Sequence, residues 1–135
     1  MARIICIDFG LKRCGVAVTD PLKIIATGLT VVPPKELISF LKNYSKTEEI
    51  ELILIGLPVN LDGSDTHATA PSKNAFENLQ KAFPAIPIKQ IDERFSSKLA
   101  SRAMREMGMK KSQRMKKENT DLIAATMMLQ EFLDQ

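Results

Sequence analysis

Arg3-Ile4-Ile5-Cys6-Ile7-Asp8-Phe9-Gly10-Leu11-Lys12-Arg13-Cys14-Gly15-Val16-Ala17-Val18-Thr19-Asp20 decides the architecture of this 135-residue chain. Ile4, Cys6 and Asp8 alternate with Ile5, Ile7 and Phe9, so both faces of the first strand are apolar, the pattern of a central strand covered on each side. Gly10 to Gly15 reads as a turn containing Cys14, residues 16–20 as a hairpin partner, and 27–32, after Asp20-Pro21, as a third strand. The strand ends in an acid followed at once by Phe9-Gly10, which leaves the Asp8 carboxylate at the edge of the sheet. Capping the Gly10 turn is the plain structural role for such a residue.

Outward from this meander, Pro33-Pro34 stops the third strand, and Leu37, Ile38, Leu41 and Tyr44 recur at helical spacing as far as Ser45. The apolar run 52–56, bounded by Gly and Pro, reads as a buried strand lying parallel to the first. Residues 57–69 form a long polar loop with the Asp62-Gly63 turn signal and a lone His67 that reads as a surface residue. Ala75, Phe76, Leu79, Ala82 and Phe83 mark the next helix, and 86–91 a further strand. Ser96 or Ser97 would cap a helix whose apolar face is Leu99, Ala100, Ala103, Met104 and Met107, stopped by Gly108. A basic connection, 109–117, leads into a last helix over 120–135. The order βββαβαβαα predicts an α/β fold, a mixed five-stranded sheet flanked by helices, in a single domain over 1–135.

Composition narrows the function classes. With 44% hydrophobic residues the chain has enough apolar content for one substantial core. Its net charge is only +3, but from 94 to 117 nine Lys or Arg face the single acid Glu106, leaving ten basic against fifteen acidic residues elsewhere. A segment of +8 beside a remainder of −5 is a footprint for a polyanion, although a charge run also arises as a solvated face. Arg94, Lys98, Arg102 and Arg105 fall opposite the apolar face of their helix at spacings of four, four and three. Cys6 and Cys14 have no zinc spacing and point to a reducing compartment. No stretch is long enough for a signal h-region or a membrane span, so a cytoplasmic protein with no membrane partner is expected. Gly10-x-x-x-x-Gly15 is followed by Val16 where a Walker loop needs Lys, which rejects that mode of nucleotide binding. One Tyr and no Trp argue against a stacking platform for single-stranded bases.

Three acids, Asp8, Glu93 and Asp121, stand where local pattern could turn them toward one point. Asp121 opens the last helix on a stripe with Ala125, Met128 and Phe132, so it shares the core-facing side. Stabilising the helix dipole from its first turn, worth about 0.3–1 kcal/mol, is the competing role. Asp92 and Glu93 are adjacent on a strand end and point to opposite faces, so one of the two would reach the site, and spacing does not choose between them. Converging carboxylates supply the hard oxygen ligands for Mg²⁺ or Mn²⁺, and two such ions about 3.5–4 Å apart serve phosphodiester hydrolysis.

Four motifs in order carry a resemblance over nearly the whole chain. They are Ile7-Asp8-Phe9-Gly10 with Lys12-Arg13 and Gly15-Val16-Ala17, Gly56-Leu57-Pro58 with Asn60 and Asp62-Gly63, Asp92-Glu93-Arg94-Phe95-Ser96, and Asp121-x-x-Ala124-Ala125 with Leu129-Gln130. The chain resembles the YqgF, or RuvX-like, family of Holliday junction resolvases and pre-16S ribosomal RNA nucleases with an RNase H-like fold. Cys14 stands where an aliphatic residue is usual and Ser97 where Thr is common. The resemblance implies Asp8, Glu93 and Asp121 as catalytic, metal-binding acids, with Arg13 and Arg94 supporting the phosphate or the active-site geometry. With the basic residues Lys98, Arg102, Arg105, Lys110 and Lys111, these two form the expected nucleic-acid contact set. The expected activity is a metal-dependent endonuclease acting on structured RNA, at the 5′ end of precursor 16S rRNA, with a ribosomal precursor as a partner. A resolvase of branched DNA and a non-catalytic ribosome-bound scaffold or ATPase-like fragment are the alternatives.

Overall fold

The alternation of Ile4 and Cys6 with Ile5 and Ile7 requires two apolar layers, and the computed structural model of the protein supplies both. It describes residues 2–57, 69–92 and 117–134, the side chains of 57, 69, 92 and 117–121 excepted. The strands are β1 (Arg3–Asp8), β2 (Cys14–Thr19), β3 (Ala26–Val32), β4 (Ile50–Leu57) and β5 (Ile88–Asp92). Among the described residues the α-helices are α1 (Leu37–Ser45), α2 (Thr69–Ala82) and α3 (Lys117–Leu133), with a 3-10 turn at Pro34–Glu36 leading into α1. The strand order is β3-β2-β1-β4-β5. β1, β2 and β3 form the antiparallel meander. β4 lies parallel to β1, and β5 parallel to β4. This is the mixed five-stranded sheet expected from the sequence, with β1 at its centre.

Ile5, Ile7, Val16, Ile53 and Ile55 pack beneath α1 and α2 with Leu37, Leu41 and Leu79. Ile4, Cys6, Ala17 and Leu54 pack on the opposite face against Ala125, Met128 and Leu129 of α3. The period-2 pattern of β1 therefore sorts its side chains into two separate cores. Cys6 and Cys14 are both fully buried. A register shift between Val16 and Ala17 leaves Leu29 as the extra residue of a bulge on β3, beside Gly28. A Cβ on Gly28 would stand 2.8 Å from Leu122 Cγ, so the bare glycine is what lets α3 close onto the sheet.

Several expected boundaries move. Cys14 belongs to β2 rather than to the preceding turn, because the β1 ladder continues as far as Asp8 opposite Gly15. β5 begins at Ile88 rather than 86; Pro87 has no N–H for the ladder, and its carbonyl accepts from Ile53 N at 3.0 Å. α3 starts at Lys117, so Asp121 is its fifth residue and does not open it. The helix dipole acts mainly within the first turn, and that competing role for Asp121 is correspondingly weakened. The expected helix following Ser96 or Ser97 and the loop holding His67 lie outside the described residues. No helix among those described is long and apolar enough to cross a membrane.

Candidate active site

The parallel run of β1, β4 and β5 brings their C-terminal ends to one edge of the sheet. Ile7 pairs with Ile55, Ile55 with Gln90, and Leu57 with Asp92. Carboxyl ends of parallel strands are where open α/β sheets hold ligands, since the chain leaves each strand there in a separate loop. Asp8 ends β1 at this edge and is half-buried. Gly10, two residues on, has no room for a side chain: a Cβ there would stand 2.5 Å from the backbone oxygen of Arg13. The turn thus folds back tightly beside Asp8 and brings along Arg13, a half-buried residue whose Nε atom is itself buried.

α3 approaches the same edge. Near its C-terminal end Gln130 clamps the β2–β3 connection, with Oε1 accepting from Ala26 N at 2.9 Å and Nε2 donating to Ile24 O at 3.2 Å. Ala26 pairs with Thr19, at the end of the sheet where β1 begins. Eight residues earlier Leu122 packs on Gly28, which pairs with Ala17 and through it lies level with Cys6. The helix therefore runs antiparallel to β1, and the backbone of Asp121 falls toward the Asp8 end. Ala124 and Ala125, essentially without exposure, permit the close approach.

Ser72 has no counterpart in the sequence reading. It is fully buried in the first turn of α2, and its hydroxyl donates to Gly56 O at 3.1 Å. That bond ties the start of α2 to the C-terminal end of β4, beside the edge that carries Asp8. A serine after Pro71 at a helix start ordinarily reads as solvated, and no pattern in the sequence marks it as buried.

Among the described residues no three His, Cys, Asp or Glu side chains gather into a metal-holding group. Glu93, the Asp121 side chain, Arg94, Lys98, Arg102, Arg105, Lys110 and Lys111 lie outside them. Asp8 is a hard oxygen donor on a strand end, and this donor chemistry suits Mg²⁺ or Mn²⁺ rather than a soft metal.

A meander followed by parallel strands, with an acid ending the central strand, defines the RNase H-like class of α/β folds. RuvC from T. thermophilus, solved with a Holliday junction substrate, superposes with a TM-score of 0.58 at 15% identity, covering 98% of this chain and 94% of that one. The Fowlpox virus resolvase, solved with Holliday junction DNA, gives 0.55 at 12% identity, over 98% and 97%. Within that class the chain belongs to the RuvX family, described as Holliday junction resolvase, which it matches over residues 2–135. A relative from Christiangramia forsetii named "Putative pre-16S rRNA nuclease" is 44% identical over 98% of each chain. A relative of the same name from Bacteroides fragilis is also 44% identical, over 99% of this chain and 97% of its own length.

Proposed function

We propose that this protein is a metal-dependent endonuclease of structured RNA that processes the 5′ end of precursor 16S rRNA in the cytoplasm. The observation that carries the reading is Asp8, a half-buried carboxylate at the shared edge where β1, β4 and β5 end, toward which α3 also points its start. Near-full-length similarity to relatives named "Putative pre-16S rRNA nuclease" supports this choice of substrate. Asp8, Glu93 and Asp121 would hold Mg²⁺ or Mn²⁺. For Glu93 over Asp92 the support is parity: Ile91 packs in the α3 core and Ile88 in the opposite one, and Glu93 is two residues beyond Ile91. When bound, the metal supplies an activated water and a counter-charge for the phosphodiester oxygens. Arg13 and Arg94 orient the scissile phosphate, and Lys98, Arg102, Arg105, Lys110 and Lys111 hold the flanking backbone by charge.

The test is Asp8→Asn, nearly the same shape without the charge. Mg²⁺-dependent cleavage of a precursor 16S rRNA helix should fall on the order of a thousandfold or more, with the thermal unfolding transition preserved. Turnover by the variant at the wild-type rate would remove Asp8 from the chemistry. The family description and the RNase H-like fold favour a second reading, resolution of four-way DNA junctions. Symmetric cutting of a junction without cleavage of the RNA helix would select it.

A further inference from the structure

Asp8 has a bare neighbour. Ile7 pairs with Ile55 in the parallel ladder of β1 and β4, so the next positions along the two strands, Asp8 and Gly56, stand side by side. Gly56 pairs in turn with Ile91 of β5. All three belong to the α3 face of the sheet. Ile5 and Ile7 pack in the core beneath α1 and α2 and Ile4 and Cys6 in the α3 core, so alternation assigns Asp8 to the α3 side. Ile53 and Ile55 against Leu52 and Leu54 assign Gly56 to it in the same way, and Ile91 packs there directly. Neighbouring strands lie about 4.8 Å apart, so Asp8 and the β5 position level with it are separated by roughly 10 Å, with the glycine midway. On this face β4 carries Leu52 and the fully buried Leu54, and its side chains stop at the row of the carboxylate. Gly56 is buried and Asp8 half-buried, so the bare position is set back from the open surface.

Two ordinary reasons for a glycine do not apply. The backbone of Gly56 is part of the regular parallel ladder with β5, an extended conformation open to any residue. Nor does a close-packed helix need the space: among the described elements α3 covers this face, and it lies over β1, β2 and β3 with little reach to β4. Its tight fit is served by Gly28, under Leu122. Gly56 is also held in place, since Ser72 Oγ donates to its carbonyl at 3.1 Å, so a side chain added there has little freedom to draw back. What remains is the space beside Asp8. Mg²⁺ sits about 2.0–2.1 Å from its oxygen ligands and keeps several waters, so a carboxylate that holds it needs room alongside. A methyl group on residue 56 would stand roughly 5 Å from the Asp8 Cβ, within that room. We infer that Gly56 clears the interval between Asp8 and the end of β5 for a divalent cation, its missing side chain being its contribution to the site. The inference rests on the metal-dependent reading, which takes its second acid, Glu93, from just beyond β5.

The probe is Mn²⁺ alone, without RNA. An ion that binds only the folded chain raises its unfolding temperature. Mn²⁺ should do so for the wild type, and Asp8→Asn should abolish the rise. Gly56→Ala should need at least about tenfold more Mn²⁺ for the same rise, while its unfolding temperature in EDTA stays near that of the wild type. A glycine needed only for packing gives the opposite pattern, a lower unfolding temperature in EDTA with an unchanged response to Mn²⁺, and that result overturns the inference. A second measurement uses the wild type and does not depend on the variant folding. In amide NMR spectra, substoichiometric Mn²⁺ should broaden the Gly56 resonance well before that of Thr19, at the opposite end of the sheet. Equal broadening of the two overturns the inference. A wild type whose unfolding is indifferent to Mn²⁺ would sink the metal-dependent reading and the inference with it. A response that needs Asp8 but is equally strong in Gly56→Ala removes the inference alone and leaves that reading standing.

Discussion

At the scale of single residues, the acids of this chain do different work according to what surrounds them. Asp20 is a structural acid. Its carboxyl is held below the ordinary value of 3.8, first by the backbone N–H of Ile25, then by those of Ile24 and Leu22, with partial burial opposing them. A folded value below the unfolded one means that the stabilisation is fully present above pH 3.8 and is lost as pH falls through the lower folded value. Urea midpoints of the wild type and Asp20→Asn should therefore differ by a constant amount near neutrality and converge in acid. A gap that persists at the acid end would deny the carboxylate this role. The strand acids form the second case. If the odd positions of β5 face α3, Glu93→Gln should cut RNA cleavage far more than Asp92→Asn, in single-turnover assays at saturating Mg²⁺. The reverse order would mean that the parity of the strand breaks after Ile91.

Between elements, the decisive contact is α3 against the meander. Gly28 and Leu122 meet where the β3 bulge leaves space, with Leu122 Cγ 2.8 Å from where a Cβ would stand. Gly28→Ala must push the branched end of Leu122, and overpacking of this kind costs about 1–3 kcal/mol. The expected result is a lowered unfolding temperature together with slower cleavage, because Leu122 adjoins Asp121 on the same helix. Adding Leu122→Ala should recover part of the activity lost to Gly28→Ala. A double variant no more active than Gly28→Ala alone would show that the clash is relieved elsewhere. Ser72 plays a comparable part for α2: its bond to Gly56 O holds the helix start against the end of β4.

Across the whole molecule, charge is unevenly distributed along the sequence. At the end where β1 begins, Arg3 pairs with Glu48 and Lys23 with Glu51. The excess of positive charge is concentrated in residues 94–117, which follow β5 directly in the chain. If that segment grips the substrate backbone, affinity for the precursor helix should fall steeply with salt, log K losing roughly 0.7–0.9 per contact for each log unit. Removing Arg102 and Arg105 together should flatten the slope by about two contacts' worth, with single-turnover cleavage at saturating RNA nearly unchanged. An unaltered slope would place the phosphate contacts on other residues.

Much of this was legible in one dimension because the signals are local and periodic. Apolar residues on both faces of β1 predict its central position, and the Gly- and Pro-bounded run after α1 predicts a parallel neighbour, since period 2 and turn chemistry depend only on the chain itself. Asp8 was legible for the same reason, as an acid ending a buried strand. Helix ends are less so: α3 begins in residues whose polar composition gives no apolar period, so the pattern places its start at 120, three residues beyond Lys117. The bond from Ser72 to Gly56, the fit of Leu122 on Gly28 and the Gln130 clamp on Ile24 and Ala26 join segments between 16 and 106 residues apart. No periodicity encodes such meetings. They exist because sheet order and the direction of α3 set which distant side chains share a space, and that is decided only when the chain closes on itself.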